Sequence, residues 1–379
     1  MQMYWKIAWP VGGVVVWWAV TTVAWAAEVR SLRREYRNDP LGVDTSAPRL
    51  SWLIASDDTH PAFARLPGGP IYRGKTTWDP VTATLTFASS GSMPEAKEDF
   101  HWQVPAEVKR IVIGANVIVQ GGFRVPFREA GNPLHIVGRD RESSIILGTD
   151  EEQWTTRNGV ADNEKWKYGT VSVVADATVH ISNLTSRNPR GYHLSGYANK
   201  SVLHVSRCNL LDTRPGQNNN SDGFVGSAGS TISDSFISTG DDAIKIYHDI
   251  TIRNVVIEHH RNGAPIQFGW GGESGHAKAT IENLTIKGVS PDKLYNMAPF
   301  TWEGGSSGTR DVTIRGLHLE TTGKLYDEET KSWMPIGLFE LKPKSCTLNL
   351  TITNANIGAA DNGIRHTRGV ISLNGTIAP

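Results

Sequence analysis

The chain has few cysteines, no net charge and almost no long apolar runs. Only Cys208 and Cys346 occur; an exported chain could join them, but a pair of cysteines does not by itself establish a bridge. Lys plus Arg number 38 and Asp plus Glu number 38, so no overall charge draws the chain to nucleic acid or another polyanion. The only uncharged stretch long enough to span a bilayer lies between Lys6 and Glu28. It closes on Ala24-Trp25-Ala26, a small-x-small pattern, and we read residues 1–26 as a secretory signal peptide. An uncleaved anchor is the alternative. Either way the folded part is exported, to a secreted or periplasmic location, and touches no membrane after cleavage.

Long helical periodicity is missing as well, and 38 glycines in 379 residues suit a β-rich chain with many turns. A short pattern recurs instead: an apolar residue, a polar one, then Asn, Asp or a substitute, then a second apolar stretch. Copies begin at Ile181, Val205, Ile232, Ile252, Ile281, Ile314 and Ile352, with "ISNLTS" and "IENLTIK" as examples. Successive starts differ by 24, 27, 20, 29, 33 and 38 residues. Each copy reads as a strand with alternating faces. Strands that return at this interval without helices between them point to a parallel β-helix, with the longer intervals supplying loops on one face. A β-sandwich would instead show tight hairpin signals, which are few. The third-position Asn and Asp read as corner residues or side-chain ladders. We prefer that reading to glycosylation at Asn183 and Asn283, although both head an "NLT".

Residues 109–125, 134–147 and 170–184 carry the same alternation, so the solenoid is expected over 108–379. Residues 27–107 lack it and read as a small N-terminal module or cap. Cys208 and Cys346 then sit about five coils apart, roughly 24 Å at the ~4.8 Å strand spacing. A disulfide needs Cα atoms within about 7 Å, so two buried free thiols are expected.

The chemistry of interest is carboxylate. Asp222, in "NNNSDGF", precedes Asp241 and Asp242, in "GDDAIKIYH", by 19 and 20 residues, close to the shortest coil. One coil apart means one above the other, so the three acids should share a cleft and reach solvent. In the strand that follows, Ile244 and Ile246 should point inward, with Asp241, Lys245 and Tyr247 outward. Asp242 reaches the outer side only if Gly240 lets the chain bend. Asp57-Asp58, by contrast, lies outside the repeat and reads as a solvated turn. Mutual repulsion in a tight acid cluster raises the pKa of one member and keeps a proton available. Glycoside hydrolysis needs such a pair, one acid to protonate the leaving oxygen and another to activate water. A calcium site or a ladder of turn residues would use the same carboxylates. Lys245 offsets charge or holds a sugar hydroxyl, or is simply solvated.

"NSDGF", "GDDAIKIYH" and "NGAPIQFGW" (262–270) together resemble glycoside hydrolase family 49, the dextranases and isopullulanases. The resemblance covers about 50 central residues and the coil pattern around them. It implies an all-β fold, a right-handed parallel β-helix, and an inverting hydrolase that needs no cofactor or metal. Carried over by position, it makes Asp241 the general acid and Asp222 and Asp242 the residues that place and activate the water. Lys245, Tyr247, Gln267 and Trp270 would line the substrate groove, Trp270 by stacking on a sugar ring or else by packing within the coil. Glu273, His248 and Trp302 are further groove candidates. The family 28 polygalacturonases share the acids but carry Gly-His-Gly and Arg-Ile-Lys elements that read the uronate; both are missing here. A neutral α-glucan, dextran- or pullulan-like, is therefore the expected substrate, taken as a polysaccharide or oligosaccharide by a monomer. One departure is the N-terminal region: family 49 has a large β-sandwich there, and this chain has about 80 residues, whose "EYRNDPLGVDTSAPRLSW" (35–52) resembles the opening of an accessory domain of bacterial α-L-rhamnosidases.

Two other functions use the same scaffold. A polysaccharide lyase or polygalacturonase-like enzyme would act on an acidic glycan, the lyase with calcium on the acids and Lys245 as base. A non-catalytic glycan-binding β-helix would keep the groove and lack the chemistry.

Overall fold

The computed structural model describes residues 27–34, 37–38 and 50–56 and most of 63–374. Outside the described residues within the latter span lie 95–99, 199, 215–219, 259–261, 272, 274, 290–297, 306, 322–323, 328–330, 359 and 365–368. Residues 1–26, expected as a signal peptide, and most of 35–49 are outside it too.

The chain forms two compact units, Met1–Ala62 and Phe63–Pro379. In the first, Ala27–Arg34 pairs antiparallel with Arg37–Asn38 and Leu50–Ser56. The second is a parallel β-helix with three strands to a coil. One coil runs Ser230–Ser233, Phe236–Ser238 and Ile244–Lys245, and we call these positions the first, second and third faces. The first and second faces belong to one long sheet, and the third is a separate sheet of ten strands.

The repeat is the register of this stack. Ile181, Val205, Ile232, Ile252, Ile281, Ile314 and Ile352 are direct partners from coil to coil along the first face. All are buried, as are Ile136 and Ile111, one and two coils earlier respectively. Each such side chain contributes roughly 1.5–3 kcal/mol by leaving water, and the in-register column leaves little freedom to slip.

The third-position residue turns the chain from first face to second. Asn183, Arg207, Asp234, Asn254, Asn283 and Asn354 all have φ between 50 and 58°. Asn and Asp tolerate this left-handed conformation better than other side chains. They also form the ladder expected of them: Asn283 Nδ2 donates to Asn254 Oδ1, and Asn254 Nδ2 to Asp234 Oδ1, each at 2.9 Å. Glycine takes the corner at 316, with φ +82°, where a Cβ would press to 2.8 Å from Asn283 Oδ1.

The parallel ladder starts earlier than residue 108. Thr84–Phe87 pairs in parallel with Arg110–Ile113, Gly91–Ser92 with Val117–Gln120, and His101–Gln103 with Gly122–Val125. That opening coil has the alternation but not the Asn corner, so the repeat pattern passes over it. Cys208 and Cys346 are buried free thiols.

Long connections leave at the corner between second and third faces. A four-residue helix Trp154–Arg157 and a 3-10 helix Asp162–Tyr168 occupy it in one coil, and the hairpin Lys324–Asp327/Ser332–Pro335 in another. Asp222, Asp241 and Asp242 lie at this same corner, in the connections 212–223 and 239–243.

Replacing Asn283 by Ala removes a ladder hydrogen bond and leaves at a left-handed φ a residue without the short polar side chain that makes Asn tolerant of it, which should cost about 1–3 kcal/mol. Asn283→Gly keeps the backbone geometry and should cost less. Denaturant unfolding of the two variants checks the order; equal losses would mean that the corner does not depend on φ.

Candidate active site

Stacking brings the acids together. His193 N donates to Asp222 O at 2.7 Å and Gly223 N to Asp242 O at 2.8 Å. Asp222 thus stands between Tyr192 on the preceding coil and Asp242 on the next. One carboxylate oxygen from each of Asp222, Asp241 and Asp242 lies within 4.8 Å of the others. Third-face strands here are only two residues long, Phe224–Val225, Ile244–Lys245 and Ile266–Gln267. Short pairing frees the chain just ahead of each strand to bend. Gly263 lets the next coil cross this bend: its φ is +66°, and a Cβ there would fall 2.3 Å from Asp242 N and 2.4 Å from Asp241 Oδ1.

The expected alternation holds: Ile244 and Ile246 fill the core, and Lys245 and Tyr247 face outward. Asp242 also reaches the outer side, where its carboxylate lies 3.5 Å from Lys245 Nζ. Exposure differs from expectation, since only Asp241 keeps partial contact with solvent. Asp222 is 2% and Asp242 4% exposed, and Lys245 is buried with them.

Each group has fixed partners. Lys245 Nζ sits 2.7 Å from Asp222 Oδ1, over the rings of Tyr192 and Tyr247 at 4.9 and 5.7 Å. Asp242 Oδ1 accepts from Ala264 N at 2.8 Å. Asp241 Oδ2 accepts from Asn220 Nδ2 at 3.0 Å, and Asp241 Oδ1 from Asp242 N. Asn220 is itself held on two sides, by Lys165 Nζ at 2.6 Å and by Gln153 Oε1.

The electrostatics follow from burial and like charge. Burial, then Asp222 and Asp242, push the Asp241 carboxyl well above the ordinary range; Lys245 and Asn220 only partly oppose this. Burial raises Asp242 to about 7, against the pull of Lys245. Burial alone would lower Lys245, but Asp222 and the neighbouring tyrosines outweigh it and hold the ammonium protonated. A lysine so held is a poor base, which removes the group that a lyase would need. Its ammonium also occupies the place against Asp222 and Asp242 that a hard cation would take.

The other candidates separate. Gln267 is the coil-to-coil partner of Lys245, buried, and accepts a hydrogen bond from the Tyr247 hydroxyl. Trp270 is 46% exposed, so its ring is presented outward and not packed in the coil. Glu273 accepts from the backbone N–H groups of Trp270 and Gly271 and shapes that turn. His248 is exposed at the end of the strand. Trp302 is not a groove residue: it is fully buried, 4.6 Å from the Arg310 guanidinium, which donates to the carbonyls of Ile246 and Phe268.

Sequence reasoning missed Asn220, Lys165, Gln153, Tyr192 and Tyr197. Asn220 carried a signal, two places before Asp222. Lys165 had none, being 55 residues from Asn220 in a segment without the repeat.

Residues 29–63 match a family model described as a Rha78A-like, N-terminal immunoglobulin domain, in agreement with the rhamnosidase-like opening at 35–52. The chain is 25% identical over 297 residues to a dextranase of Arthrobacter sp. (strain CB-8) and 23% identical over 301 residues to a dextranase of Arthrobacter globiformis. These alignments cover 73% and 74% of this chain but 44% of each relative. A probable polygalacturonase of Arabidopsis thaliana is 31% identical over 127 residues, 31% of this chain and 28% of that protein. Dex49A from Penicillium minioluteum has the same fold, with a TM-score of 0.54 and 14% identity over 92% of this chain and 66% of that one. The chain is thus related to the family 49 dextranases, as its central motifs implied, and spans less than half the length of the curated dextranases it matches.

The folded protein holds a proton on Asp242 up to about 7, whereas the unfolded chain releases it in the ordinary carboxylate range. This contribution to stability is therefore present at low pH and lost as pH rises from about 4 to about 7. Asp242→Asn should be more stable than the native protein at pH 7, by up to about 4 kcal/mol, and lose that advantage at pH 4. Denaturant unfolding at the two pH values measures both.

Proposed function

We propose that this protein is an exported glycoside hydrolase that cleaves a neutral α-glucan of the dextran type. Asp241 is the general acid, and Asp222 and Asp242 place and activate the attacking water. The observation that carries this reading is the asymmetry within the acid cluster. Of the three acids Asp241 alone keeps contact with solvent, and burial beside Asp222 and Asp242 pushes its carboxyl well above the ordinary range. A carboxyl kept neutral near physiological pH can protonate a leaving glycosidic oxygen. Asn220 fixes the direction of that carboxyl through Oδ2. Lys245 lies against both Asp222 and Asp242 and offsets negative charge there, so that a carboxylate of the pair can take up the proton of the attacking water.

A neutral sugar fits the surroundings. Lys245, Lys165 and Lys342 all lie along this part of the fold, and each is held by a protein group: Asp222, Asn220 and Glu303 respectively. A uronate would need a cation of its own. Gln267 and Tyr247, linked by a hydrogen bond, offer neutral polar contacts beside the acids, and Trp270 offers an apolar ring face. The dextranase relatives point to the same substrate class.

The stereochemistry has two readings. Family resemblance favours single displacement with inversion, in which the acid and base usually stand about 6.5–9.5 Å apart. The nearest oxygens here are within 4.8 Å, closer to the spacing of about 5–5.5 Å at which the second carboxylate acts as nucleophile and configuration is retained. We adopt inversion, with water entering beside Asp222 and Asp242.

With dextran as substrate, Asp241→Asn should lower kcat by about 10²–10⁴-fold while the unfolding transition is preserved. Proton NMR of the first product should show the β-anomer. Near-native turnover by the variant would remove Asp241 from the reaction, and an α-anomeric first product would establish retention.

A further inference from the structure

The 3-10 helix Asp162–Tyr168 has no counterpart in the repeat, and it is fastened to the site in two ways. Lys165 reaches Asn220 and, through it, Asp241. The Trp166 carbonyl accepts from Ser172 Oγ at 2.8 Å and Ser195 Oγ at 2.6 Å. Those two serines are register partners on the third face, both buried, one and two coils before the coil of Asp222. The helix therefore lies across the third face on the side that precedes the acids. There it leaves the Trp166 ring half-buried, with Nε1 donating to Asn163 O.

That ring is continuous with the acid cluster. Trp166 stands 5.4 Å from Tyr197, and Tyr197 stands 6.4 Å from Tyr247, which flanks Lys245. On the far side of the acids, one coil beyond Asp242, Trp270 presents its own ring. Third-face coils run from Leu194 through Phe224 and Ile244 to Ile266, three steps in all. At ~4.8 Å per step, the two aromatic positions are separated by roughly 14 Å along the stack, with the acids between them.

We propose that Trp166, supported by Tyr197, is a sugar-stacking subsite on the side of the acids opposite Trp270, for a pyranose ring of a neutral α-glucan chain. This rests on the hydrolase reading above and extends it. A large rigid ring supplies contact area at low entropic cost, and its face matches the apolar C–H face of a pyranose. The 3-10 helix covers Ser172 and Ser195 beyond this point, so a bound chain is expected to end at Trp166 on that side.

The test uses the full chain and isomaltohexaose, a neutral α-1,6-linked glucose oligomer. Binding is measured by calorimetry in the Asp241→Asn variant, which does not consume the ligand, and dextran turnover is measured in the native background. Adding Trp166→Ala to Asp241→Asn should weaken isomaltohexaose binding about tenfold, and Trp166→Phe should restore it to within about twofold. Isomaltose, too short to reach from the acids to Trp166 and fill both sides, should lose less. Alanine retains the backbone carbonyl held by Ser172 and Ser195, so the unfolding transition should be unchanged. Equal affinity with and without Trp166 overturns the subsite even if dextran is cleaved. Trp166-dependent binding without any cleavage of dextran would keep the subsite and overturn the hydrolase reading. No binding of either oligomer overturns the subsite as stated.

Discussion

Lys245 places a single ammonium among three carboxylates in a pocket almost closed to water. It lies against Asp222 and, further off, Asp242. One positive charge cannot compensate three negative ones at low dielectric, so full ionisation of the cluster is unfavourable and a proton stays on it. Asp241 makes no ion pair with Lys245 and is bonded instead to a neutral amide, and its carboxyl is pushed well above the ordinary range by burial and by its two acidic neighbours. The raised carboxyl pKa values follow from burial together with that shortage of positive charge.

The β-helix is what makes so unfavourable a grouping hold. No local interaction would bring residue 222 beside 241 and 242. The buried isoleucine columns fix the register on every coil, and with the register fixed the corner residues repeat in space as well as in sequence. The Asn ladder is on the corner between first and second faces, the acids on the corner between second and third. One corner uses its polar side chains for a ladder, and the other gathers its carboxylates around Lys245. Two-residue strands at the third face and the left-handed Gly263 are the local price of that second corner.

Much of this was legible in the sequence. The seven repeat starts are the true coil partners, and the 20-residue step from Asp222 to Asp242 is one coil. Those features depend on period alone, and period survives in a single sequence. The outward direction of Lys245 and Tyr247 followed from alternation. What sequence could not give was depth. Asp222 and Asp242 were expected at the surface and are buried, because the residues that enclose them, Tyr192, Tyr197 and the segment bearing Lys165 and Trp166, come from connections with no period to read. Trp302 failed for a related reason: an aromatic near a groove in sequence can turn to the core, and Arg310 beneath the third face holds it there.

The proposed hydrolysis turns on whether Asp241 carries a proton in the folded protein at neutral pH. Infrared difference spectroscopy of the native protein against Asp241→Asn, at pH 7, tests it without any substrate. With Asp241 protonated, the substitution should remove a protonated carboxylic C=O band. Loss of an ionised carboxylate band in its place would show Asp241 already deprotonated, and would contradict the account.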